Sequence, residues 1–322
     1  MKQAMAISQR IFVDAIRKYC AGHGITIEVR SDGWLVVMQR GSQRRHAFGY
    51  DLGLNSAVAH RIANDKAATS EVLALAGLAS VPHSLFLNPR LHDHVPPSGS
   101  WEVMLALLAE HRAGVVVKPN EGTSGRSVFL ARSQPKLELA VNRIFASHAS
   151  LAISPYLDIA HEIRVVLLDE EPLVVYGKNR PSVVGDGERS LLELAIAATS
   201  AERRAAVLRG MTNDLDKHEL DAIVPAGARR MLNWRHNLDA GSRPMLLRQG
   251  EIRDTCIALA AKAASTIGIR FASVDVVSVD GRWLVLEINS GVMMEGLGRL
   301  HPELAYAAYE AALDKVFAAP ST

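Results

Sequence analysis

Three oxygen-bearing side chains near the end of the chain have the types and spacing of a divalent-cation site. Asp275, Glu287 and Asn289 lie on two apolar segments within FASVDVVSVDGRWLVLEINS, a pattern that predicts a β-hairpin. If a three-residue loop joins the strands, with Gly281 left-handed, residues of equal parity share one face and the three side chains converge. A two-residue turn would separate them. Converging hard oxygens suit Mg²⁺ held together with substrate phosphates.

The opposite face of this hairpin would then be apolar. Val274, Val276, Leu286 and Ile288 are the residues expected to face the core. The alternative is an ordinary half-exposed hairpin whose polar side contacts water.

A second segment has the composition of a phosphate-binding loop. In VVVKPNEGTSGRSVFLA, residues 115–131, a strand ends at Lys118 and Pro119, a Gly/Ser/Thr loop follows, and another strand begins at Val128. The segment matches neither a P-loop nor a dinucleotide-binding fingerprint, since both of those open a helix. Backbone N–H groups of a glycine-rich hairpin can still bind phosphate, and Lys118 adds a positive charge. The alternative is a simple turn.

The elements that must position these residues alternate between helices and strands. This alternation predicts an α/β or α+β architecture. Predicted helices cover residues 7–19, 56–76, 135–146 and 252–267, with further helices opening at the Ser190/Glu193 capping box and near Pro302. Predicted strands cover 25–29, 34–38, 46–50, 115–119, 128–131, 151–153, two runs within 161–177, 271–279 and 283–289. Three prolines and a Ser-Gly-Ser tip between residues 87 and 100 predict an exposed connection.

Composition narrows the function classes. The 322 residues are 48% hydrophobic and carry 36 basic and 34 acidic side chains, a formal charge of +2. Such a balance gives no reason to expect a nucleic-acid groove or an anionic membrane surface, and favours small-molecule chemistry. Cys20 and Cys256 form no CxxC pair or disulfide framework, and no apolar run approaches the ~20 residues that span a bilayer. We therefore expect a cytoplasmic protein.

The order of these parts resembles an ATP-grasp ligase. Asp65-Lys66, the strand ending at Lys118 with its glycine loop, ISPYLDIAHEIRVVLL and the closing D…E-x-N set follow one another as they do in that family. NSAVAHRIANDKAATSEVLALAGLASVP, NRPSVVGDGERSLLEL and IVPAGARRMLNWRHNLDAGS are similar to the glutathione synthetase module of bifunctional glutathione synthases and to the ATP-grasp region of cyanophycin synthetase. The resemblance covers about residues 55–295.

The resemblance implies a role for individual residues. Nucleotide contacts carry over to Lys66, Lys118, Ser124, Gly125, Ser154, Tyr156, Leu157 and Glu162. Metal ligands carry over to Asp275, Glu287 and Asn289. Arg164 and Lys178 are implied as catalytic groups, and Asn237, Gly241, Ser242 and Asn289 as substrate contacts.

The implied fold consists of two α+β lobes that grip ATP. A short N-terminal α/β unit would cover residues 1–58 and the ATP-grasp domain 59–322, with a lid lobe at about 80–155 and a C-terminal lobe at about 156–322. The implied activity is ATP-dependent ligation of a carboxylic acid, an amino acid or short peptide, to an amine through an acyl phosphate. The implied cofactors are ATP and Mg²⁺, two ions, with Mn²⁺ as an alternative. The implied partners are small-molecule substrates, and neither nucleic acid nor a membrane is expected. A homo-oligomer is compatible with the resemblance.

Some positions depart from the family pattern, and some keep a simpler interpretation. Ser154 and Pro155 replace the usual hinge glutamate, and Val292, Met293 and Met294 replace the usual Pro and Gly, which predicts an altered substrate pocket. Arg164 and Lys178 could be solvated strand-edge charges, and Glu162 could pair with Arg164. His92 and His94 lack further zinc ligands and are expected at the surface. Two other functions stay open: modification of a protein or peptide tail, and nucleotide binding without turnover.

Overall fold

Residues 10–91, 99–122, 127–236, 238 and 242–318 are described by the computed structural model of the chain. Six residues singled out above lie outside these ranges, so nothing is said of their structure. They are His92, His94, Ser124, Gly125, Asn237 and Gly241.

The N-terminal segment forms a helix followed by a three-stranded meander. Helix α1 (Ile11–Gly22) precedes β1 (Thr26–Arg30), β2 (Leu35–Arg40) and β3 (Gln43–Phe48), which pair antiparallel in that order. The predicted helix and three strands are confirmed, with bounds shifted by a few residues. The buried residues of α1, which include Phe12, Ile16 and Tyr19, recur at helical spacing and pack against the last helix of the chain.

The predicted single helix from residue 56 to 76 is wrong, because two helices meet at Asp65. Helix α2 (Ala57–Asn64) is capped by Ser56, and α3 (Lys66–Leu75) by Asp65, whose carboxylate accepts a hydrogen bond from the Ala68 N–H at 2.8 Å. Asp65 has an extended backbone and forms a bridge with Glu121. A side-chain cap thus substitutes for helical continuity and brings the start of α3 beside residues 120–122.

A four-stranded antiparallel sheet with strand order β4-β7-β5-β6 follows. Its strands are β4 (Ser84–Leu87), β5 (Val115–Pro119), β6 (Phe129–Ala131) and β7 (Ser150–Pro155). Helix α4 (Gly99–Glu110) precedes β5, and helix α5 (Gln134–Phe145) lies between β6 and β7 in the chain. Leu137, Ala140 and Ile144 of α5 pack with Val115 and Val117 of β5 in one core. The sheet therefore has one face covered by helix, and Lys118 reaches the cavity described below.

The largest sheet has five antiparallel strands in the order β12-β9-β8-β13-β14. They are β8 (His161–Leu168), β9 (Glu171–Asn179), β12 (Arg243–Leu246), β13 (Phe271–Val279) and β14 (Arg282–Asn289). Helix α9 (Glu251–Ile267) packs on one face, and α10 (Glu295–Gly298) and α11 (Pro302–Ala318) end the described chain. The β8–β9 turn uses Asp169 and Glu170 with φ values of 51° and 70°, the conformation that a two-residue hairpin requires.

The other face of this sheet changes character along its strands. On β8, Val166 and Leu168 belong to the core shared with α1 and α11, whereas Glu162 and Arg164, at the same parity, point to the cavity. On β9, Tyr176 is in that core and Lys178 lines the cavity. One face thus combines an apolar half that anchors the N-terminal segment with an ionic half that faces the cavity.

The last hairpin corrects the prediction made for it. Its connection is a two-residue turn of Asp280 and Gly281, not a three-residue loop, because Val279 pairs with Arg282. The register shifts between Asp275 and Val276, so that Leu286 is an extra residue and Asp275 pairs with Glu287. This β-bulge restores the shared face that a two-residue turn alone would abolish. Leu286 accordingly lines the cavity and does not face the core as predicted. Val285 faces the core in its place.

A small helical module interrupts the chain between β9 and β12. It comprises β10 (Ser182–Val184), α6 (Leu191–Ala198), α7 (Ala201–Asp214), α8 (Lys217–Asp221) and β11 (Arg229–Met231), with a core of its own. The Ser190/Glu193 capping box that opens α6 is confirmed. Gly185 lies so close to the Pro225 carbonyl that an added Cβ would come within 2.2 Å, which requires glycine there.

The mixed helix and antiparallel-sheet architecture confirms the predicted α/β or α+β class. The division into units 1–58 and 59–322, with lobes meeting near residue 155, stays a proposal. Within the described ranges, no helix combines the length and apolarity needed to cross a membrane.

Candidate active site

A cavity of about 850 Å³ lies where the four-stranded sheet, the five-stranded sheet and the N-terminal meander meet. It is lined by ten of the residues expected from the sequence to form the site. They are Lys66, Lys118, Ser154, Tyr156, Leu157, Glu162, Arg164, Lys178, Glu287 and Asn289. Asp275 lies directly beneath this wall, 1% exposed. Residues from four separate stretches of chain are thus assembled around one space.

Arg164 and Lys178 converge on the Asp275 carboxylate at the floor of the cavity. Arg164 donates two hydrogen bonds, from Nε to Oδ1 at 2.7 Å and from Nη2 to Oδ2 at 2.6 Å. Lys178 Nζ lies 2.8 Å from Asp275 Oδ2 and donates to Glu162 Oε1 at 2.5 Å. All four side chains are largely buried, so Arg164 and Lys178 are not solvated strand-edge charges, and Glu162 pairs with Lys178 instead of Arg164.

Burial and charge compete to set the pKa values in this cluster. Burial alone would raise the pKa of Asp275, but the charges of Arg164 and Lys178 outweigh it and hold that pKa below its usual range. Burial raises the pKa of Glu162 to about 7, against the opposing charge of Lys178. The pKa of Lys178 is raised because Asp275 and Glu162 outweigh burial and the nearby Arg164. Two cations are therefore kept charged in a buried position.

Glu287 and Asn289 extend from the end of β14 into the cavity. Asn289 donates to Glu287 Oε1 at 3.2 Å, so the two side chains are adjacent. Both offer hard oxygens to a divalent cation, whereas the Asp275 oxygens are already engaged by Arg164 and Lys178. Among the described residues, no group of three His, Cys, Asp or Glu side chains could hold a metal unaided. The site fits a cation that also takes ligands from a bound phosphate.

Two lysines form the opposite wall. Lys66, the first residue of α3, donates from Nζ to the carbonyl oxygens of Asn120 and Gly122 at 3.3 and 2.9 Å. The Asn120 side chain in turn accepts from the Ala67 N–H at 3.1 Å, which holds α3 against the end of β5. Lys118 Nζ has no hydrogen-bond partner within the described ranges, and burial lowers its pKa to about 8 despite the opposing charge of Glu287. A buried ammonium of this kind gains from an incoming anion.

The strand end at residues 154–157 forms a further edge of the cavity. Ser154 is buried and pairs with Val116, and the Tyr156 N–H donates to the Gly114 carbonyl at 2.9 Å. The Tyr156 ring packs edge-on against Trp234, with 5.7 Å between ring centroids. Aromatic and apolar surface of this kind is the environment that a flat heterocycle prefers.

Ser242 is the one described site residue that the structure does not bring to the cavity. It is 0% exposed, and its carbonyl oxygen accepts a hydrogen bond from Arg203 at 3.0 Å. Its assignment as a substrate contact stays a prediction, as do those of Ser124, Gly125, Asn237 and Gly241.

Several cavity residues were missed by sequence reasoning. His236 is buried, with Nδ1 2.7 Å from the Lys178 carbonyl oxygen, and so supports the strand that carries Lys178. Trp34, Phe48 and Tyr50 come from the N-terminal meander. The sequence offered one indication of these cavity residues: a pair of predicted strands is rich in aromatic residues, in a chain with only 5% of them.

Known proteins resemble this chain in structure, but no match is found by sequence. No protein-family model matches the chain, and no curated protein is similar to it. Among solved structures, a bifunctional glutathione synthetase from Pasteurella multocida has a TM-score of 0.55 at 18% identity, over 97% of this chain and 44% of that one. A D-alanine–D-alanine ligase from Bacillus anthracis has a TM-score of 0.53 at 16% identity, over 82% and 69% of the two chains. The same ligase complexed with ATP gives 0.50 at 15% identity, over 82% and 68%.

The chain has the ATP-grasp fold. The fold expected from the order of motifs is thereby confirmed, although at these identities the likeness concerns the fold alone. The chain spans less than half the length of the bifunctional glutathione synthetase. Lys66 and Lys118 line one side of the cavity and Glu287 another, and Arg164 and Lys178 face the same space.

Proposed function

We propose that this ATP-grasp protein is an ATP-dependent ligase that joins a carboxylic acid to an amine through an acyl phosphate. One observation carries the proposal: two buried cations, Arg164 and Lys178, are held beside the Glu287–Asn289 pair in a cavity whose other wall carries Lys66 and Lys118. A nucleotide site alone does not need buried positive charge on the far side of the phosphates. A site that stabilises a second anion does.

ATP is the nucleotide that we propose for this site. The adenine would lie along residues 154–157, where backbone groups and the Tyr156–Trp234 pair line the cavity. Lys66 and Lys118 would contact the phosphates, with Ser124 and Gly125 of the glycine loop as predicted additional contacts. Glu162 stays the predicted ribose partner, and its short ion pair with Lys178 fixes where its carboxylate can reach. A D-alanine–D-alanine ligase of the same fold has been solved with ATP.

Glu287 and Asn289 are the residues that we propose to hold Mg²⁺, two ions being expected and Mn²⁺ a substitute. When bound, the metal supplies positive charge that neutralises the phosphate oxygens. The predicted third ligand, Asp275, would have to release Lys178 or Arg164 before it could reach a cation. Asp275 instead pairs with both Arg164 and Lys178 and fixes these two side chains in place.

The proposed reaction has two steps. An oxygen of the substrate carboxylate attacks the γ-phosphorus of ATP, the bond to the β-phosphate oxygen breaks, and ADP leaves. The amine nitrogen then attacks the acyl carbon of the acyl phosphate, phosphate leaves, and the nitrogen loses a proton. Arg164 and Lys178 would hold the acyl phosphate and stabilise the oxyanion that forms on its acyl oxygen, because both stay charged and desolvated.

The reaction class is tested by mixing the protein with ATP, magnesium and pools of amino acids. Phosphate release should require both an acid and an amine, and mass spectrometry should detect a new amide bond. A kinase would need a single acceptor and give a phosphorylated product, and a nucleotide-binding module would release no phosphate. Either of those results would overturn the ligase proposal. We also propose a cytoplasmic location, because Cys20 and Cys256 are both buried free thiols.

A further inference from the structure

The N-terminal meander gives the cavity an aromatic wall, formed by Trp34, Phe48 and Tyr50. Trp34 is 52% exposed and Phe48 68% exposed, although both are large aromatic residues and both line the cavity. Exposed aromatic surface of this extent inside a concave site is typical of a surface that covers an apolar ligand group. Neither the phosphates nor the adenine edge at residues 154–157 requires such a surface.

The indole of Trp34 in the aromatic wall is held in place from behind. Arg10 stacks over the Trp34 and Tyr50 rings, at 4.8 and 4.1 Å from their centroids, and donates to the Gly33 carbonyl oxygen at 2.9 Å. Gly49 has φ +65°, and a Cβ there would lie 3.0 Å from the indole ring. The backbone directly after β3 can therefore approach the ring closely only because residue 49 is glycine. A ring that is already fixed loses little conformational entropy when it binds a ligand.

An acidic group lies beside the aromatic wall. Asp51 lines the cavity, accepts a hydrogen bond from the Gly53 N–H at 2.8 Å, and has a side chain that is 30% exposed. His60 Nδ1 lies 3.1 Å from the other carboxylate oxygen. The carboxylate has lone pairs left to accept from a ligand ammonium.

The aromatic wall also adjoins the proposed phosphate end of the cavity. The His60 ring contacts Asn64 at 2.9 Å, and Asn64 Oδ1 accepts from Ser290, the residue after Asn289, at 3.2 Å. Tyr50 lies next to Gly291, where an added Cβ would be 3.6 Å from the tyrosine Cβ. A molecule seated on the wall is therefore next to the end of β14 that carries Glu287 and Asn289.

We infer that the acid activated by this protein is an amino acid with a large aromatic or apolar side chain. Its ring would pack on Trp34 and Phe48, its ammonium would pair with Asp51, and its carboxylate would point toward Arg164 and Lys178. This inference rests on the proposed ligase function. It assigns the aromatic wall to the acid and not to the attacking amine, because a carboxylate beside an amine favours the protonated ammonium, which has no lone pair for attack.

Hydroxamate formation tests the inference without knowledge of the natural amine. Hydroxylamine serves as the amine, and L-phenylalanine, L-leucine, L-alanine and 3-phenylpropanoate serve as acids with ATP and magnesium. We expect kcat/KM for phenylalanine to exceed that for alanine by about 10-fold or more, the scale of discrimination by an apolar pocket. Phe48→Ala and Trp34→Ala should reduce this ratio toward one. Leu75→Ala, at a 90% exposed leucine outside the cavity, should leave it unchanged.

A separate variant tests the proposed contact between Asp51 and the ligand ammonium. Asp51→Asn should lower kcat/KM for phenylalanine and leave that for 3-phenylpropanoate, which lacks the ammonium, within about 2-fold. Equal rates with alanine and phenylalanine, or a ratio that Phe48→Ala does not change, would overturn the inference and leave the ligase proposal standing. Absence of hydroxamate with every acid would count against the ligase proposal. Calorimetry of phenylalanine with the protein and a non-hydrolysable ATP analogue then decides the inference, and absence of binding overturns it.

Discussion

Asp275 and Glu287 lie directly opposite each other on the last hairpin, yet their carboxylates have different neighbours. Asp275 is buried and holds Arg164 and Lys178, whereas Glu287 lines the cavity beside Asn289. Under the proposed function, these two acids have separate tasks: Asp275 fixes Arg164 and Lys178 in place, and Glu287 binds the proposed metal. The consequences of removing each charge should differ accordingly.

Replacing Glu287 by Gln should remove turnover and leave the fold intact. The residue lies at the cavity surface, and its loss takes a negative charge from the proposed cation site. We expect hydroxamate formation to fall by about 100-fold or more, since even an outer-shell partner of a metal ligand contributes about 10–100-fold. Glu171→Gln, at an exposed strand position, is the matched control and should retain activity. Full activity of Glu287→Gln would remove this residue from the metal site.

Replacing Asp275 by Asn should instead destabilise the protein. Two buried cations would lose their shared counter-charge, a change that typically costs about 3–5 kcal/mol of unfolding free energy. Urea unfolding followed by circular dichroism measures the loss. Asp280→Asn, at an exposed turn position with φ 48° that Asn also adopts, should change stability little. Equal stability of the two variants would contradict the anchoring role of Asp275.

Nucleotide binding should be accompanied by proton uptake near pH 8.5. Burial lowers the pKa of Lys118 to about 8, so the side chain is mostly neutral at that pH in the free protein. Phosphate oxygens favour the charged form and raise this pKa, so a proton enters as ATP binds. Calorimetry in buffers of different ionisation enthalpy measures the uptake. Lys118→Arg should bind nucleotide without it, because arginine is already charged, and uptake retained in that variant would assign the proton to another group.

Replacing Lys178 by Met should lower kcat far more than it weakens ATP binding. Lys178 faces the proposed acyl phosphate from the floor of the cavity, so its charge matters most as the oxyanion forms. Loss of one such donor costs about 100–1,000-fold in kcat. Lys315→Met, at a half-exposed lysine on α11 that pairs with Asp169, is the control and should retain activity. A rise in the ATP dissociation constant that equals the fall in kcat would show that Lys178 acts in nucleotide binding instead.

Much of the fold was predictable because the signals are local. The α6 capping box, the bounds of β13 and the start of α11 follow from single residues and short patterns. The break at Asp65 was not predictable from periodicity, since the residues on both sides continue a helical pattern. A side chain that caps the next helix, together with a bridge to Glu121, decides that conformation.

The candidate site was predictable in its residue types and only partly in its pairing. The prediction that Asp275 and Glu287 share a face is confirmed, but the turn proposed for it was wrong, since a bulge at Leu286 cannot be counted from sequence parity. The partners of Asp275 come from β8 and β9, more than 90 residues earlier, through strand pairing that no local pattern encodes. The aromatic wall was missed for the same reason.

The first and last described helices share one core, and this has a consequence for how the site comes into being. Tyr19 donates to Asp314 at 2.8 Å, and Arg40 and Arg45 donate to the carbonyl oxygens of Phe317 and Val316. These contacts join residues more than 270 positions apart. During synthesis on the ribosome, the meander that carries Trp34 and Phe48 therefore emerges early and lacks its packing partner until residues 302–318 have left the exit tunnel. A nascent chain can assemble the lysine-bearing sheet well before its aromatic wall is in place, so the half of the cavity that we propose for the acid is completed after the half proposed for the nucleotide.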